Sequence, residues 1–124
     1  MSELLVDTGI WIDHLRRGDA TLGHLLMQGR VLGHAMVTGE IAMGSLADRS
    51  AVLGALHQLP QAVRASDEEV IDLIQRRALF SLGLSFVDAH LLAATLLTPG
   101  ARLWTRDRRL ADAAAAMAIA ALQA

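Results

Sequence analysis

The sequence predicts an α/β protein built on a parallel sheet. Short apolar runs of strand length alternate along the chain with longer segments whose apolar residues recur at helical spacing. Hydrophobic residues make up 53% of the chain but aromatic residues only 3%, which suits helices packed on a parallel sheet better than a β-sandwich. The length of 124 residues is that of one domain, so we expect a single domain over residues 1–124 with helices on both faces of the sheet.

The first ten residues show the change from a strand to a helix on which this prediction is based. Leu4–Val6 is a short apolar run, Asp7-Thr8-Gly9 interrupts it, and apolar residues resume at helical spacing from Ile10. This pattern predicts a strand, a turn and a helix. A carboxylate that directly follows a buried strand lies at the rim of the sheet, beside the crevice where open α/β folds bind ligands. Asp7 is that carboxylate.

The remaining elements follow the same alternation and give a sheet of about four or five strands. After residues 4–6, the strands are predicted at 31–34, near Val63, at 102–105 and near Ile119. The helices are predicted at 10–15, 21–28, 38–46, 51–59, 67–83, 85–97 and 107–117. Acids at the start of the fifth helix suit its N-terminal dipole, and Gly83 is the predicted end of that helix.

The composition excludes several classes of protein. There is no cysteine, so disulfides and thiolate metal sites are absent, and a metal would have to bind oxygen or imidazole. All eleven basic residues are Arg, and without Lys a P-loop, a phospho-receiver or a haloacid-dehalogenase-like site is disfavoured. We expect a soluble, cytoplasmic protein with no membrane contact, because no N-terminal signal and no apolar run of about 20 residues is found.

Four acids from distant parts of the chain are predicted to meet at one edge of the sheet. Asp7 and Asp107 follow two strand-like segments, and parallel neighbouring strands would bring both to the same edge. Glu40 and Asp88 lie near the starts of helices, which in a parallel sheet begin at the edge where strands end. The predicted site therefore contains Asp7, Glu40, Asp88 and Asp107.

Such a cluster needs a cation. Two like charges about 4 Å apart repel by about 1 to 4 kcal/mol, depending on the effective dielectric. Mg²⁺ or Mn²⁺ is the natural counterion, because hard ions prefer carboxylate oxygens and keep several waters. A metal of this kind lowers the pKa of a bound water and neutralises phosphoryl oxygens, which is what hydrolysis of a phosphodiester requires.

Each acid also has a purely structural interpretation. Asp88 fits a helix capping box with Ser85, and Asp107 fits a helix N-cap after Thr105. Glu40 is compatible with a solvated helix position, and Asp7 with a turn. The joint pattern favours the metal site more than any single residue does.

Other polar residues are open to two interpretations. Thr8 and Thr105 either orient a water or phosphate oxygen or satisfy backbone groups. The arginines beside Asp107, at 106, 108 and 109, either guide phosphate into the cleft or balance charge on a solvated turn. The five histidines lack a metal-ligand spacing and are expected to be structural or exposed, and Asp13 is expected to pair with Arg16 or Arg17.

Four segments in order resemble the PIN-domain ribonucleases, most closely the VapC toxins of bacterial toxin–antitoxin pairs. The resemblance covers nearly the whole chain and is carried by residues 6–13 (VDTGIWID), 38–42 (TGEIA), 88–94 (DAHLLAA) and 103–107 (LWTRD). Each motif alone is loose, but the ordered set is specific.

The resemblance implies a three-layer α/β/α domain and a Mg²⁺- or Mn²⁺-dependent endoribonuclease. In that family the acids that match Asp7, Glu40, Asp88 and Asp107 bind metal and activate water, and the hydroxyl that matches Thr105 supports the site. It also implies a homodimer and a cognate VapB antitoxin whose tail lies along the toxin and obstructs the cleft.

The chain departs from the family pattern at two positions. Arg109 stands where many members have a further acid, and Leu110 where many have Phe. A second metal is therefore expected to bind weakly or not at all. The alternative functions are a catalytically silent module that binds RNA or a partner and, less favoured because the chain is short, a DNA-directed nuclease.

Overall fold

A parallel sheet of three strands lies at the centre of the molecule, in the order β2-β1-β3. A computed structural model describes residues 2–122. The strands are β1 (Leu4–Val6), β2 (Val31–Leu32) and β3 (Arg102–Trp104). The helices are α1 (Thr8–Arg17), α2 (Ala20–Met27), α3 (Ala35–Ala42), α4 (Arg49–Gln58), α5 (Asp67–Arg77), α6 (Phe86–Leu97) and α7 (Arg108–Ala116).

The central strand is the predicted one. Leu4, Leu5 and Val6 are at most 1% exposed, because β1 has a strand on each side and helices over it. Its register aligns Leu5 with Leu32 of β2 and with Leu103 of β3, and both pairings are parallel. Helices α1, α3 and α4 pack together, α5 packs on α6, and α6 and α7 contact β3. The predicted α/β class and three-layer arrangement are confirmed.

The predicted strand count was wrong, because two segments form only single bridges. Gln61 bridges Gly33, with Ala62 N donating to Gly33 O at 2.9 Å, but the N–H of Val63 then donates to the Thr98 hydroxyl at 2.9 Å and not to a strand. Ala120 bridges Leu103, but the preceding N–H of Ile119 donates to Ala114 O at the end of α7. Backbone donors used elsewhere cannot extend a ladder, so the sheet stops at three strands.

Several predicted boundaries also shift, and side chains explain the shifts. β2 ends at Leu32 instead of 34 because His34 turns to cap α3, whose first residue is Ala35. Helix α5 ends at Arg77, well before Gly83, because Ala78 adopts a left-handed φ of 51° and its N–H closes the helix on Ile74 and Gln75. Leu79 then turns into the core at 7% exposure.

No helix within residues 2–122 is both long enough and apolar enough to cross a bilayer.

Candidate active site

Asp7 lies where β1 ends and α1 begins. Its backbone N–H donates to Trp104 O at 2.9 Å, so the β1–β3 pairing continues up to this residue. Its carboxylate accepts two hydrogen bonds, from Thr8 N at 2.8 Å and from Thr105 Oγ1 at 2.6 Å. The carboxylate therefore caps α1 and is tied to the segment that follows β3.

Glu40 reaches the same region from α3. The Thr8 hydroxyl donates to Glu40 Oε1 at 2.6 Å, across the contact between α1 and α3. Thr8 thus joins two of the predicted acids, since its N–H binds Asp7 and its hydroxyl binds Glu40. To the two interpretations of this threonine the structure adds a third: it orients carboxylates.

Asp88 lies in the first turn of α6, where it forms the expected capping box. Its backbone N–H donates to Ser85 Oγ at 3.0 Å, and Ser85 N donates to Asp88 Oδ2 at 3.0 Å. The capping interpretation is correct for this residue. It does not remove the carboxylate from the site, because the charge of Asp88 still acts on Asp7.

Asp107 is the N-cap of α7, as its structural interpretation predicted. Oδ1 accepts from Arg109 N at 2.9 Å and from Leu110 N at 3.2 Å. The N–H of Asp107 donates to Thr105 Oγ1 at 3.0 Å, and that hydroxyl in turn donates to Asp7. Thr105 is therefore the link between the two strand-end acids.

The pKa of Asp7 is shifted by burial and by neighbouring groups. Burial raises the pKa of the Asp7 carboxyl, the hydrogen bonds from Thr105 and Thr8 oppose that rise, and the charges of Asp88 and Glu40 add to it. Three of the four predicted acids therefore share one field, and the fourth, Asp107, is linked to Asp7 through the Thr105 hydroxyl. Within residues 2–122, no three acid or histidine side chains already converge at metal-ligand distances.

The chemistry of these residues fits a hard divalent cation. All the donors are carboxylate or hydroxyl oxygens, which Mg²⁺ and Mn²⁺ prefer. The pKa of Asp7 is raised in part by neighbouring negative charge, and a cation would relieve that repulsion. The two buried histidines are engaged elsewhere, His34 with Met36 N and His90 with Asp67.

The arginines beside Asp107 differ in their contacts. Arg106 turns away from Asp107 and pairs with Asp13 at 3.1 Å and Asp19 at 2.6 Å, so charge balancing is the correct interpretation for it. Arg109 lies along the backbone of Gly83. The sequence correctly paired Asp13 with Arg17 but missed Arg106, which lies 93 residues away and gives no local signal.

A parallel α/β/α fold with acids at the carboxyl ends of neighbouring strands fits the PIN-like class of nuclease. No protein-family model matches the sequence. The chain is 45% identical over 117 residues to Ribonuclease VapC32 of Mycobacterium tuberculosis strain CDC 1551 / Oshkosh, a match that covers 94% of each chain. The protein of the same name from strain ATCC 25618 / H37Rv matches equally well. The chain belongs to the VapC family of PIN-domain ribonucleases, and the predicted family and enzyme class are confirmed.

Proposed function

We propose that this chain is the toxin of a toxin–antitoxin pair and hydrolyses RNA phosphodiester bonds at the site around Asp7, as a Mg²⁺- or Mn²⁺-dependent endoribonuclease. The observation that carries the proposal is the set of hydrogen bonds by which Thr8 joins Asp7 to Glu40 and Thr105 joins Asp7 to Asp107, in a chain of the VapC ribonuclease family. The cytoplasm is the proposed location, since that is where RNA and such a pair would meet.

The residues proposed to hold the metal are Asp7, Glu40, Asp88 and Asp107. A divalent cation bound there supplies activation of water and neutralisation of charge on the phosphoryl group. The protein supplies orientation: Thr105 fixes one oxygen of Asp7, and Thr8 fixes the other and holds Glu40. Asp107 would contribute Oδ2, because its Oδ1 accepts from Arg109 N and Leu110 N at the start of α7.

Purified protein incubated with a panel of tRNA, rRNA and mRNA tests this proposal. We expect cleavage with Mn²⁺ or Mg²⁺ at millimolar concentration and none with EDTA, because the acids repel one another without a cation. We also expect either metal to raise the Tm, since the ion binds the native state. Binding of RNA without metal-dependent cleavage across the panel would favour the silent binding module instead.

The surface proposed to receive the antitoxin is an apolar groove between α1, α2 and α4. The groove has a volume of about 360 Å³ and is lined by Trp11, Leu26 and Ala55 among other mostly apolar residues. It shares Leu15 and Val52 with a second hollow, which reaches Glu40. A peptide laid along the groove would therefore run toward the acids and obstruct them, as the resemblance to VapC toxins implies.

The surface proposed for the homodimer runs from α5 through the segment that follows it to the start of α6. Four large apolar side chains are between 43% and 57% exposed there, namely Ile71, Phe80, Leu82 and Phe86. Phe80 and Phe86 line one hollow there, and exposed apolar residues of this kind commonly mark a protein interface. This surface is distinct from the groove, so both contacts are compatible in one complex.

Two variants separate these contacts. Ala55→Arg should weaken capture by a cognate VapB-type antitoxin about 10- to 100-fold by filling the groove, while Gln58→Arg, on the same helix, is the matched control. Leu82→Ser should shift the mass in light scattering from twice 13.3 kDa toward 13.3 kDa and leave capture intact. Equal capture of the two arginine variants would contradict the groove assignment, and a monomeric parent chain would contradict the homodimer.

A further inference from the structure

Arg106 forms a bridge between distant acids on the outer side of the site. Its Nη1 lies 3.1 Å from Asp13 Oδ2 on α1, and its Nη2 lies 2.6 Å from Asp19 Oδ2, the N-cap residue of α2. Its guanidinium carbon lies 5.6 Å from the centre of the Trp104 ring, within the range of a cation–π contact. One side chain thus joins the segment after β3 to α1 and to the start of α2.

The position of Arg106 in the chain gives this bridge its importance. Arg106 stands between Thr105, whose hydroxyl donates to Asp7, and Asp107, which caps α7. Asp13 lies in α1, the helix that Asp7 itself caps. The segment 105–107 is therefore tied to α1 twice, once inside the site through Thr105 and Asp7 and once outside it through Arg106.

The two ties differ in strength. The Thr105–Asp7 hydrogen bond is a single contact in a half-buried position. The Arg106 bridge uses two nitrogens of one planar guanidinium on two carboxylates, a fork geometry that Lys cannot reproduce. Because Arg106 is 42% exposed, solvent screens both ion pairs, and each contributes little to the free energy of unfolding. The bridge can nevertheless fix the direction of a short segment.

We propose that Arg106 is a positioning residue for ribonuclease activity: held by Asp13 and Asp19, it keeps segment 105–107 in place so that Thr105 can orient the Asp7 carboxylate. This inference rests on the proposed function. It assigns to Arg106 a role different from contact with RNA phosphate, although Arg106 is one of three arginines beside Asp107.

The two roles predict opposite effects of the acids. If Arg106 positions the segment, removing the charges of Asp13 and Asp19 should harm the reaction as much as removing Arg106. If Arg106 binds RNA, removing those charges should free it and tighten RNA binding. Asparagine is the suitable replacement at both positions, because it can still cap α2 in Asp19→Asn and keeps the size of the side chain in Asp13→Asn.

The experiment compares Arg106→Gln, Arg106→Lys and the double variant Asp13→Asn/Asp19→Asn with the parent chain. The control is Arg17→Gln, which removes the other partner of Asp13 at 3.2 Å and leaves Arg106 paired. Two readouts are used: kcat and KM on the RNA that the parent cuts fastest, and the rise in Tm caused by Mn²⁺ alone.

We expect Arg106→Gln and the double Asn variant to lower kcat about 10- to 100-fold, as misplacement of a catalytic group by about 1 Å does. KM should stay within about twofold, the Mn²⁺-induced rise in Tm should shrink, Arg106→Lys should be intermediate, and Arg17→Gln should match the parent. An unchanged kcat in Arg106→Gln overturns the inference. So does a raised KM in that variant combined with a lowered KM in the double variant.

The parent chain separates this inference from the proposed function. If the parent cleaves RNA with Mn²⁺ and every variant has the same kcat and KM as the parent, only the role of Arg106 is contradicted. A parent that neither cleaves RNA nor gains Tm with Mn²⁺ contradicts the proposed function and overturns this inference with it.

Discussion

Replacing Asp7 with Asn is expected to reduce RNA cleavage about 10³-fold or more. The Asp7 carboxylate accepts hydrogen bonds from Thr8 N and Thr105 Oγ1 and lies in the field of Glu40 and Asp88. Asn keeps the shape and an oxygen acceptor but removes the charge that a divalent cation needs. Losses of this size are usual when one charged member of a catalytic group is removed.

The same variant is expected to be more stable than the parent in EDTA. Burial and the charges of Asp88 and Glu40 raise the pKa of Asp7, so its ionised form costs folding free energy at neutral pH. Removing the charge should raise the Tm in EDTA by about 2–4 °C and abolish most of the Mn²⁺ response. Thermal melts with EDTA and with Mn²⁺, beside cleavage assays, measure both effects.

A pair of substitutions at Thr105 serves as the control for Asp7. Thr105→Ser keeps the hydroxyl that donates to Asp7 Oδ2 and should keep most of the activity, whereas Thr105→Val removes it. Because that hydrogen bond lowers the pKa of Asp7, Thr105→Val should shift the acid limb of the pH–rate profile upward. Full activity of Asp7→Asn would remove Asp7 from the proposed site.

The stability of the parent chain is expected to fall as the pH drops from 6.5 toward 4, because of His34. This side chain is 2% exposed, and its Nδ1 accepts a hydrogen bond from Met36 N at 3.0 Å to cap α3. Only the neutral ring can accept, so the proton must lie on Nε2. Burial, followed by the charges of Arg64 and His90, lowers the pKa of His34 from its ordinary 6.5 to about 4.

Proton binding by the unfolded chain sets the direction in which stability changes with pH. Between pH 6.5 and about 4 the unfolded chain binds a proton at His34 that the folded chain excludes, so this stability is present above pH 6.5 and is lost as the pH falls. The difference between the two pKa values corresponds to about 3 kcal/mol of unfolding free energy. Since α3 carries Glu40, weakening of its cap is expected to disturb the site as well.

Urea unfolding from pH 7 to pH 4.5 tests this expectation. The control is His34→Asn, because Asn is a good N-cap but does not titrate in this range. The variant will be less stable at pH 7, since it fills less of the core, but its unfolding free energy should decline less steeply with falling pH. Parallel curves for parent and variant would rule out His34 as the cause of the acid sensitivity.

Much of the fold could be predicted because the relevant signals are local. The central strand, the order of the elements and the caps at Asp88 and Asp107 follow from apolar periodicity and capping patterns within a few residues. The strand count was wrong for the same reason. Whether the segments near Val63 and Ile119 extend the sheet depends on where their N–H groups find acceptors, and those acceptors lie on Thr98 and at the end of α7.

By itself, the sequence determined that this is an α/β chain of the VapC ribonuclease family with acids at strand ends and helix starts. The tertiary structure decided which charges share one field, bringing Glu40 and Asp88 to Asp7 while Asp107 caps its own helix. It also decided that Arg106 faces Asp13 and Asp19. The physical reason is that capping depends on neighbours in the chain, whereas Coulomb interaction depends on distances that only packing sets.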